Sequence, residues 1–249
     1  MVFDHRLFEE YINRRKPVNQ PVPALVTIGY HLFKNPVFIV VINIFEAVFM
    51  FILTLPVPFY RSLVLGWITQ LPGTPYFTGP YLRALYYKKK LKSLGLNVVF
   101  EQGVKIVSPG DIEIDDNSVI DTGVILSAGK PKAYNQKIIK SKNVTQEGTL
   151  FIGKGVLIQP YTSIGAMGGV VIKDNVGIGP RCTIFSYTHL SMKPHAVYEV
   201  TLTIGENVLI GSNSSVICVE NIPANTLIKP NTFLCDSFIK KDNPQSQQK

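Results

Sequence analysis

The sequence predicts a mainly β protein, a prism of short parallel strands wound into a coil, preceded by an apolar helical region. Three observations predict it. An aliphatic residue recurs every six positions through the second half, Gly or Asn recurs at a fixed place in most of those units, and residues 1–95 are apolar and aromatic without that period. An even period suits strands, whose side chains alternate between two faces, and does not suit a helix of 3.6 residues per turn.

Residues 1–95 are expected to be helical and to associate with a membrane. Residues 37–55 contain a single charged residue, Glu46. As a helix they would extend about 28 Å, close to the hydrocarbon thickness of a bilayer. The prolines of the following LPVP break a helix, and residues 59–70 then form a shorter amphipathic piece with Trp67.

Basic residues flank this apolar run on both sides. They are Arg14, Arg15, Lys16 and Lys34 before it, and Arg83, Lys88, Lys89, Lys90 and Lys92 after it. Because positive charge favours the cytoplasmic side, both ends are expected there. This predicts a hairpin or re-entrant element over about residues 36–72, anchored at the cytoplasmic face of a membrane. A true span and a buried soluble helical domain remain as alternatives.

The second half, residues 96–235, is predicted to form the prism. The aliphatic residues that open its units are Ile114, Ile120, Leu126, Ile152, Ile158, Ile164, Ile172, Ile178, Ile184, Ile204, Ile210, Val216, Ile222 and Ile228. In nine of these fourteen units the fourth residue is Gly or Asn: Asn117, Gly123, Gly129, Gly155, Asn175, Asn207, Asn213, Asn225 and Asn231. These residue types enter the left-handed backbone region at low cost. A sharp corner every six residues gives three corners per turn and about 18 residues per coil.

Four neighbouring units before His189 depart from this corner chemistry, with Tyr161, Met167, Arg181 and Tyr187 at the corner position. We interpret them as a local wall shaped for a ligand. Residues 130–150 and 190–202 interrupt the repeat and are expected to be loops that leave the prism. The lysines of the first loop suit either a solvated loop or contact with an anionic group. Residues 236–249 form a polar tail.

Composition narrows the classes of function. The 249 residues are 46% hydrophobic and 17% charged, with a net charge of +8. Such a charge suits an anionic membrane or ligand, and no nucleic-acid-binding motif accompanies it, so we expect no nucleic-acid partner. The three cysteines have no redox or metal spacing, which favours a reducing compartment, and Cys182 and Cys218 are interpreted as small core residues.

Three stretches carry a resemblance to a known family: LIQPYTSIGAMGGVVIKDNVGIGPRCTIFSYTH, TIGENVLIGSNSSV and ENIPANTLI. They resemble the hexapeptide-repeat acyltransferases of left-handed parallel β-helix fold, and in particular the branch of the maltose and galactoside O-acetyltransferases. The resemblance covers about residues 96–232. It implies a left-handed coil, acetyl-CoA as acyl donor, and a homotrimer whose active sites lie between subunits.

The resemblance also assigns residues. His189 occupies the position of the family's general base, and an imidazole with a pKa near 6.5 suits proton transfer near neutral pH. Gln159 stands where the family usually has an Asn that holds the acceptor, and Leu209 where an aromatic often lies near the pantetheine arm. The expected substrate-binding residues are Gln159, Tyr161, Met167, Tyr187 and His195. The expected cofactor-binding residues are Gly179, Leu209, Gly211, Ser212 and Lys229.

These features predict an acetyl-CoA-dependent O-acetyltransferase that acts on a saccharide hydroxyl. The apolar region favours a membrane-bound or lipid-linked glycan precursor as acceptor. Two alternatives stay open, namely N-acetylation of an amino sugar or small amine, and a catalytically silent β-helix that scaffolds a membrane assembly. The carbonic anhydrase version of this fold needs three histidines around zinc, whereas the repeat region has only His189 and His195, so no metal is expected.

Overall fold

The computed structural model describes residues 2–15, 24–52, 78–129, 137–140, 144–190 and 193–235. The predicted amphipathic piece around Trp67, the second half of the predicted hairpin and the polar tail lie outside these residues. So do parts of the two predicted loops, at residues 130–136, 141–143 and 191–192.

Six successive coils of three short strands each form the described prism. The strands are, coil by coil, β1 (Ser93–Leu94), β2 (Val99–Phe100) and β3 (Lys105–Val107); β4 (Ile112–Ile114), β5 (Val119–Ile120) and β6 (Ile125–Ser127); β8 (Leu150–Ile152), β9 (Leu157–Ile158) and β10 (Ser163–Gly165); β11 (Val170–Ile172), β12 (Gly177–Ile178) and β13 (Thr183–Phe185); β16 (Leu202–Ile204), β17 (Leu209–Ile210) and β18 (Ser215–Ile217); and β19 (Asn221–Ile222), β20 (Leu227–Ile228) and β21 (Phe233–Cys235).

Each coil contributes one strand to each of three parallel six-stranded sheets. Sheet A holds the first strand of every coil, sheet B the second and sheet C the third. The repeating aliphatic residues pair in register, as in Ile164 with Ile184 and Ile204 with Ile222. Their side chains are almost completely buried along the axis, so each coil stacks its apolar residues on those of the next. The predicted left-handed parallel β-helix is therefore confirmed.

The corners follow the predicted backbone chemistry. All nine Gly and Asn residues predicted at corners have φ between 56° and 76°. Adjacent coils also pair corner side chains, as where Asn207 Nδ2 donates to Asn225 Oδ1 at 3.1 Å. The prism begins one coil earlier than the regular period indicates, with corners at Asn97 and Gly103. That coil escapes the pattern because a 3₁₀ turn, Pro109–Asp111, adds residues before the next one.

In the described coils, long insertions leave the prism at one edge, where the chain passes from sheet C to sheet A. We call this the C–A edge; its described residues are 108–111, 128–129, 137–140, 144–149, 166–169, 186–190, 193–201 and 218–220. The two segments predicted as loops differ from the prediction because they contain strands β7 (Lys137–Lys140), β14 (Tyr187–Leu190) and β15 (Lys193–Glu199). These form a separate three-stranded sheet in the order β14–β15–β7, in which β14 is antiparallel to β15 and β15 is parallel to β7. The pairing joins residues about sixty positions apart, which no local pattern indicates.

Within residues 2–15, 24–52 and 78–92, four helices precede or cap the first coil: α1 (His5–Arg15), α2 (Ala24–Lys34), α3 (Pro36–Ile52) and α4 (Thr78–Lys88). Helix α4 closes the first coil, because the Tyr87 ring lies 4.6 Å from the Phe100 ring and the Arg83 Nε donates to the Phe100 carbonyl at 2.7 Å. The Tyr87 hydroxyl donates to the Val104 carbonyl at 3.0 Å. The helices and the prism thus share one apolar core.

Helices α2 and α3 are separated by a sharp bend at Asn35. The Asn35 side chain accepts from the backbone N–H groups of Val37 and Phe38, at 2.9 and 3.3 Å, and Pro36 occupies the first helical position. An Asn cap followed by Pro is a strong helix start, so the chain turns here. In the described part of the chain no single helix is long and apolar enough to be a membrane span. Val26–Lys34 and Pro36–Phe51 meet that requirement together, with a bend of 91° between them.

Candidate active site

His189 lies in β14, the strand that leaves the prism after the fourth coil. Its side chain is exposed, and its backbone lies opposite Val197 of β15. Side chains two positions apart on a strand share a face, so His189 and Tyr187 point to the same side. The Tyr187 ring stacks on the Phe185 ring, with 5.4 Å between centroids and 10° between planes. Burial raises the pKa of Tyr187, so its hydroxyl stays protonated and available as a hydrogen-bond donor.

A cavity of about 190 Å³ lies along the C–A edge beside this strand. It is lined by residues at the ends of the first four coils: Val107, Ser108, Ser127, Ala128, Gly129, Met167 and Tyr187. Both hydroxyl groups and apolar side chains line the cavity. Such a lining suits a ring that carries polar substituents at its edge and has apolar faces. Its volume is below the range of about 300–1,000 Å³ for pockets that enclose a drug-sized ligand. We call it the edge groove, since it runs parallel to the prism axis.

Two adjacent glycines hold the insertions against this edge. A side chain at Gly168 would place its Cβ 2.3 Å from the Val200 carbonyl oxygen, and Gly169 has a φ of 97°. The Thr201 hydroxyl donates to the Gly168 carbonyl at 2.9 Å and accepts from the Thr145 N–H at 2.9 Å. Ile164 and Ile172 are eight positions apart instead of six, so this unit has two extra residues. The segment inserted before β8 and the segment inserted before β16 therefore cross at the two glycines of this longer unit. This fixes the position of β14 and so of His189.

A second edge carries the remaining predicted residues. We call it the B–C edge, where the chain passes from sheet B to sheet C at residues 101–104, 121–124, 159–162, 179–182, 211–214 and 229–232. On it or next to it, in successive coils, lie Gln159, Tyr161, Gly179, Leu209, Gly211, Ser212 and Lys229. Close stacking explains the glycines: a Cβ at Gly179 would lie 2.7 Å from the Ser212 N, and one at Gly211 would lie 2.4 Å from the Pro230 N.

The structure therefore divides the predicted site between two edges of one chain. Met167, Tyr187 and His189 lie on the C–A edge, and the predicted cofactor residues with Gln159 and Tyr161 lie on or beside the B–C edge. One face of the prism separates them, at most about 20 Å for six extended residues. Within a single chain the two groups do not meet.

The predicted wall of four corner residues is wrong as a single surface. Tyr161 and Arg181 keep left-handed corners on the B–C edge, with φ of 60° and 57°, and both are exposed. Tyr161 fits there because its ring lies over Gly123, where a Cβ would be 2.7 Å from the ring. Met167 and Tyr187 instead line the edge groove. The division follows from the three corners of each coil, because successive six-residue units occupy successive edges of the prism.

Three further predicted features can be placed. His195 lies in β15 and is the third described residue after residues 191–192. Cys182 and Cys218 are buried, as interpreted from the sequence, and burial raises the pKa of Cys182. In the parts of the chain that the structure describes, no group of three or more His, Cys, Asp or Glu side chains is arranged to hold a metal ion.

Sequence reasoning missed several residues that the structure places at the two edges. Ser108, Ser127 and Gly129 line the edge groove although all three lie at the ends of the first two coils, far from His189 in sequence. Arg181 was predicted as part of the wall but not as a cofactor-binding residue; it is an exposed cation one coil above Tyr161, on the same edge as Lys229. A larger cavity of about 410 Å³ lies between sheet A and residues 145–149, beside the 2.6 Å ion pair of Lys92 and Glu113. None of the predicted site residues lines it.

A comparison with protein families finds no match, and a comparison with curated proteins finds none either. Among solved structures, the chain is similar to the hexapeptide-repeat containing acetyltransferase VCA0836 from Vibrio cholerae, with 18% identity and a TM-score of 0.40 over 60% of this chain and 74% of that one. It is also similar to a mutant of AntD, an N-acyltransferase from Bacillus cereus in complex with dTDP and coenzyme A, with 20% identity and a TM-score of 0.35 over 61% of this chain and 80% of that one.

Proposed function

We propose that this protein is an acyltransferase that moves an acetyl group from acetyl-CoA to a saccharide hydroxyl, with His189 as general base. The observation that carries the proposal is the position of His189, exposed on β14 and on the same face as Tyr187, which lines the edge groove. The sequence around His189 resembles the family in which this histidine has that role. An exposed imidazole beside a groove lined with hydroxyls suits a base that must reach a bound alcohol.

The proposed reaction is one direct transfer. The imidazole of His189 takes the proton of the acceptor hydroxyl as its oxygen attacks the thioester carbonyl carbon, which gives a tetrahedral oxyanion. The oxyanion collapses, the carbon–sulfur bond breaks, and the imidazolium returns its proton to the leaving thiolate. The products are the O-acetyl ester and coenzyme A. No side chain is acylated, so the reaction needs no nucleophilic serine or cysteine.

The two edges support an active site shared by two chains. In a cyclic trimer the C–A edge of one chain can face the B–C edge of the next, since head-to-tail contacts join unlike surfaces. Such a contact brings His189 and the edge groove of one chain to Gln159, Gly179 and the stacked glycines of its neighbour. We therefore propose a homotrimer in which the B–C edge holds the extended arm of acetyl-CoA. Arg181 and Lys229, both exposed on that edge, are the candidates for phosphate contacts.

The proposed acceptor is a saccharide, carried on a lipid at the cytoplasmic face of a membrane. The edge groove offers the hydroxyls of Ser108, Ser127 and Tyr187 beside the apolar Val107 and Met167. Hydroxyl donors and acceptors suit the alcohols of a sugar, and apolar patches suit its C–H faces. The groove is small and extended, so it fits one ring or the end of a chain.

Replacement of His189 tests the proposal. The full chain is incubated with radiolabelled acetyl-CoA and a panel of saccharides and lipid-linked saccharides, and acetylated product and free coenzyme A are both measured. His189→Ala should lower kcat about 10²- to 10⁴-fold, the usual contribution of a general base. Thr188→Ala is the matched control, because the neighbouring side chain points to the opposite face of the strand. Turnover of His189→Ala within twofold of the natural chain would exclude His189 as the base.

A further inference from the structure

Helix α3 directs its charged residue toward the protein and its apolar residues outward, which is the reverse of a helix at a water surface. Its one charged residue, Glu46, points into the protein, where its carboxylate accepts hydrogen bonds from the Tyr81 hydroxyl and from the Val2 N–H, the latter at 3.2 Å. Ile42 and Phe49 pack inward on the same side. Tyr81 belongs to α4, so this side of α3 is fixed to the cap of the first coil.

The opposite side of α3 is apolar and open. Together with α2 it exposes nine large hydrophobic side chains, each 40–70% accessible: Ile28, Leu32, Val37, Val40, Val41, Ile44, Phe45, Val48 and Phe51. We call these residues the α2–α3 face. The only exposed polar side chain of α3 is Asn43. A helix that borders water carries its charged residues outward, so this arrangement indicates an apolar environment on the outer side.

The charge of the chain identifies the environment as an anionic bilayer. Residues 1–95 contain eleven Lys and Arg against four Asp and Glu, a net +7 of the chain's +8. Lys34 is exposed at the bend between α2 and α3, and Lys88 and Lys89 are exposed at the end of α4. Basic residues beside a strongly apolar surface are attracted to anionic headgroups while the apolar side chains enter the acyl boundary.

We propose that the α2–α3 face lies in the plane of an anionic membrane, with the first coil of the prism directed toward the bilayer. An in-plane position follows from the two sides of α3, because a helix that spans a bilayer alone is surrounded by lipid, whereas one side of α3 is occupied by Tyr81 of the cap and by Val2. The 91° bend at Asn35 also prevents α2 and α3 from crossing as one rod.

This orientation has a consequence for the acceptor, which rests on the proposed function. The edge groove begins at Val107 and Ser108 in the first coil and ends at Tyr187 after the fourth. It therefore runs from the membrane-facing end of the prism to the strand that holds His189. Three coil spacings separate these ends, about 14 Å at about 4.8 Å per parallel strand. The acetylated hydroxyl thus stands away from the headgroup layer, which suits a sugar of a lipid-linked saccharide better than a headgroup atom.

Vesicle flotation tests the docking surface without acetyl-CoA, so its outcome does not depend on the proposed function. The full chain is synthesised in a cell-free system with vesicles of phosphatidylcholine containing phosphatidylglycerol, or of phosphatidylcholine alone. We expect flotation with the anionic vesicles, and at least a tenfold smaller floated fraction for Ile44→Asp/Val48→Asp. The matched control, Leu227→Asp/Phe233→Asp, introduces the same two charges on exposed apolar residues of the sixth coil and should float like the natural chain.

A second measurement addresses the apolar residues 53–77, which could hold the double variant on vesicles by themselves. A bimane label is placed at Ile44→Cys or Leu227→Cys in a Cys235→Ser background, and quenching by spin-labelled lipid is recorded. We expect at least twofold quenching at position 44 and none at position 227. Equal quenching at the two positions overturns the proposal. A change of oligomeric state caused by Ile44→Asp/Val48→Asp in detergent, with no effect on quenching at 44, would assign the face to a second copy of the chain instead.

Discussion

Mixing two impaired variants tests whether one active site draws on two chains. The first variant is His189→Ala, which removes the proposed base from the C–A edge. The second is Arg181→Asn/Lys229→Glu, which removes two cations from the B–C edge. Asn is chosen at position 181 because the backbone φ is 57° there, and Asn occupies the equivalent corner one coil later at Asn213. All three replaced side chains are exposed, so both variants should fold like the natural chain.

The expected loss of activity in each variant follows from the role of the replaced side chains. Loss of the base costs about 10²–10⁴ in kcat. Each exposed cation contributes up to about 1 kcal/mol to binding an anion, so the double variant should lose roughly thirtyfold in kcat/KM for acetyl-CoA. The two chains carry different affinity tags, are co-expressed, and are purified over both, so that only mixed trimers remain. In any mixed cyclic trimer, one contact of the three joins an intact C–A edge to an intact B–C edge, so about one third of the natural activity should return.

The control is His189→Ala co-expressed with itself under both tags, which should stay inactive. Activity is measured below the KM for acetyl-CoA, where the loss of the two cations is fully expressed. Recovery no greater than the sum of the two parent variants would refute the division of the site between chains, because a site within one chain gains nothing from mixing.

Three further predictions concern the frame that holds the site. Gly168→Ala should lower the stability by about 1–3 kcal/mol, because the added Cβ would lie 2.3 Å from the Val200 carbonyl; thermal unfolding measures it, and an unchanged midpoint contradicts the close crossing. Ile178→Ala should cost about 2–5 kcal/mol in denaturant unfolding and Leu157→Ala less than about 1 kcal/mol, since only Ile178 is fully buried in the axial stack; equal losses would contradict that stack. Burial raises the pKa of Tyr87 to about 12, so its stabilisation is complete below pH 10 and falls by up to about 2.7 kcal/mol as the pH rises from 10 to 12; Tyr87→Phe should remove this loss, and an alkaline unfolding series compares the two chains.

The parts of the fold that follow from local energetics could be predicted from the sequence. Corners such as Asn175 and Asn207 need a backbone conformation that few residues adopt, so their residue types are visible in the chain. The first coil was harder to recognise, because Phe100 replaces the aliphatic residue and the 3₁₀ turn breaks the period before Ile112. The regular repeat therefore predicts the fold correctly, but its first unit lies in the second coil of the prism.

The single wall was predicted wrongly because successive six-residue units occupy successive edges of the prism. Tyr161 and Tyr187 hold equivalent places in the six-residue pattern, yet they lie on different edges of the prism. The place of Glu46 was also hidden in the sequence, where it is the single charged residue of a long apolar segment. Its hydrogen-bond partner Tyr81 lies thirty-five residues further along the chain. Contacts of this kind depend on the assembled coil and cap, and no spacing within one segment reveals them.

The restriction of every insertion to the C–A edge has a physical reason. The inward aliphatic residues must stay in register from coil to coil, so extra residues can enter only at a corner. An insertion at one corner leaves the other two edges as uninterrupted ladders, and the B–C edge therefore keeps a straight row of glycines and corner residues against which an extended chain can lie. The C–A edge gains the irregular surface, with β14 held by the crossing at Gly168. The register of the axial stack thus leaves one straight edge and one irregular edge, and on these two edges we propose that the acyl donor and the acceptor with its base are held, brought together by neighbouring chains.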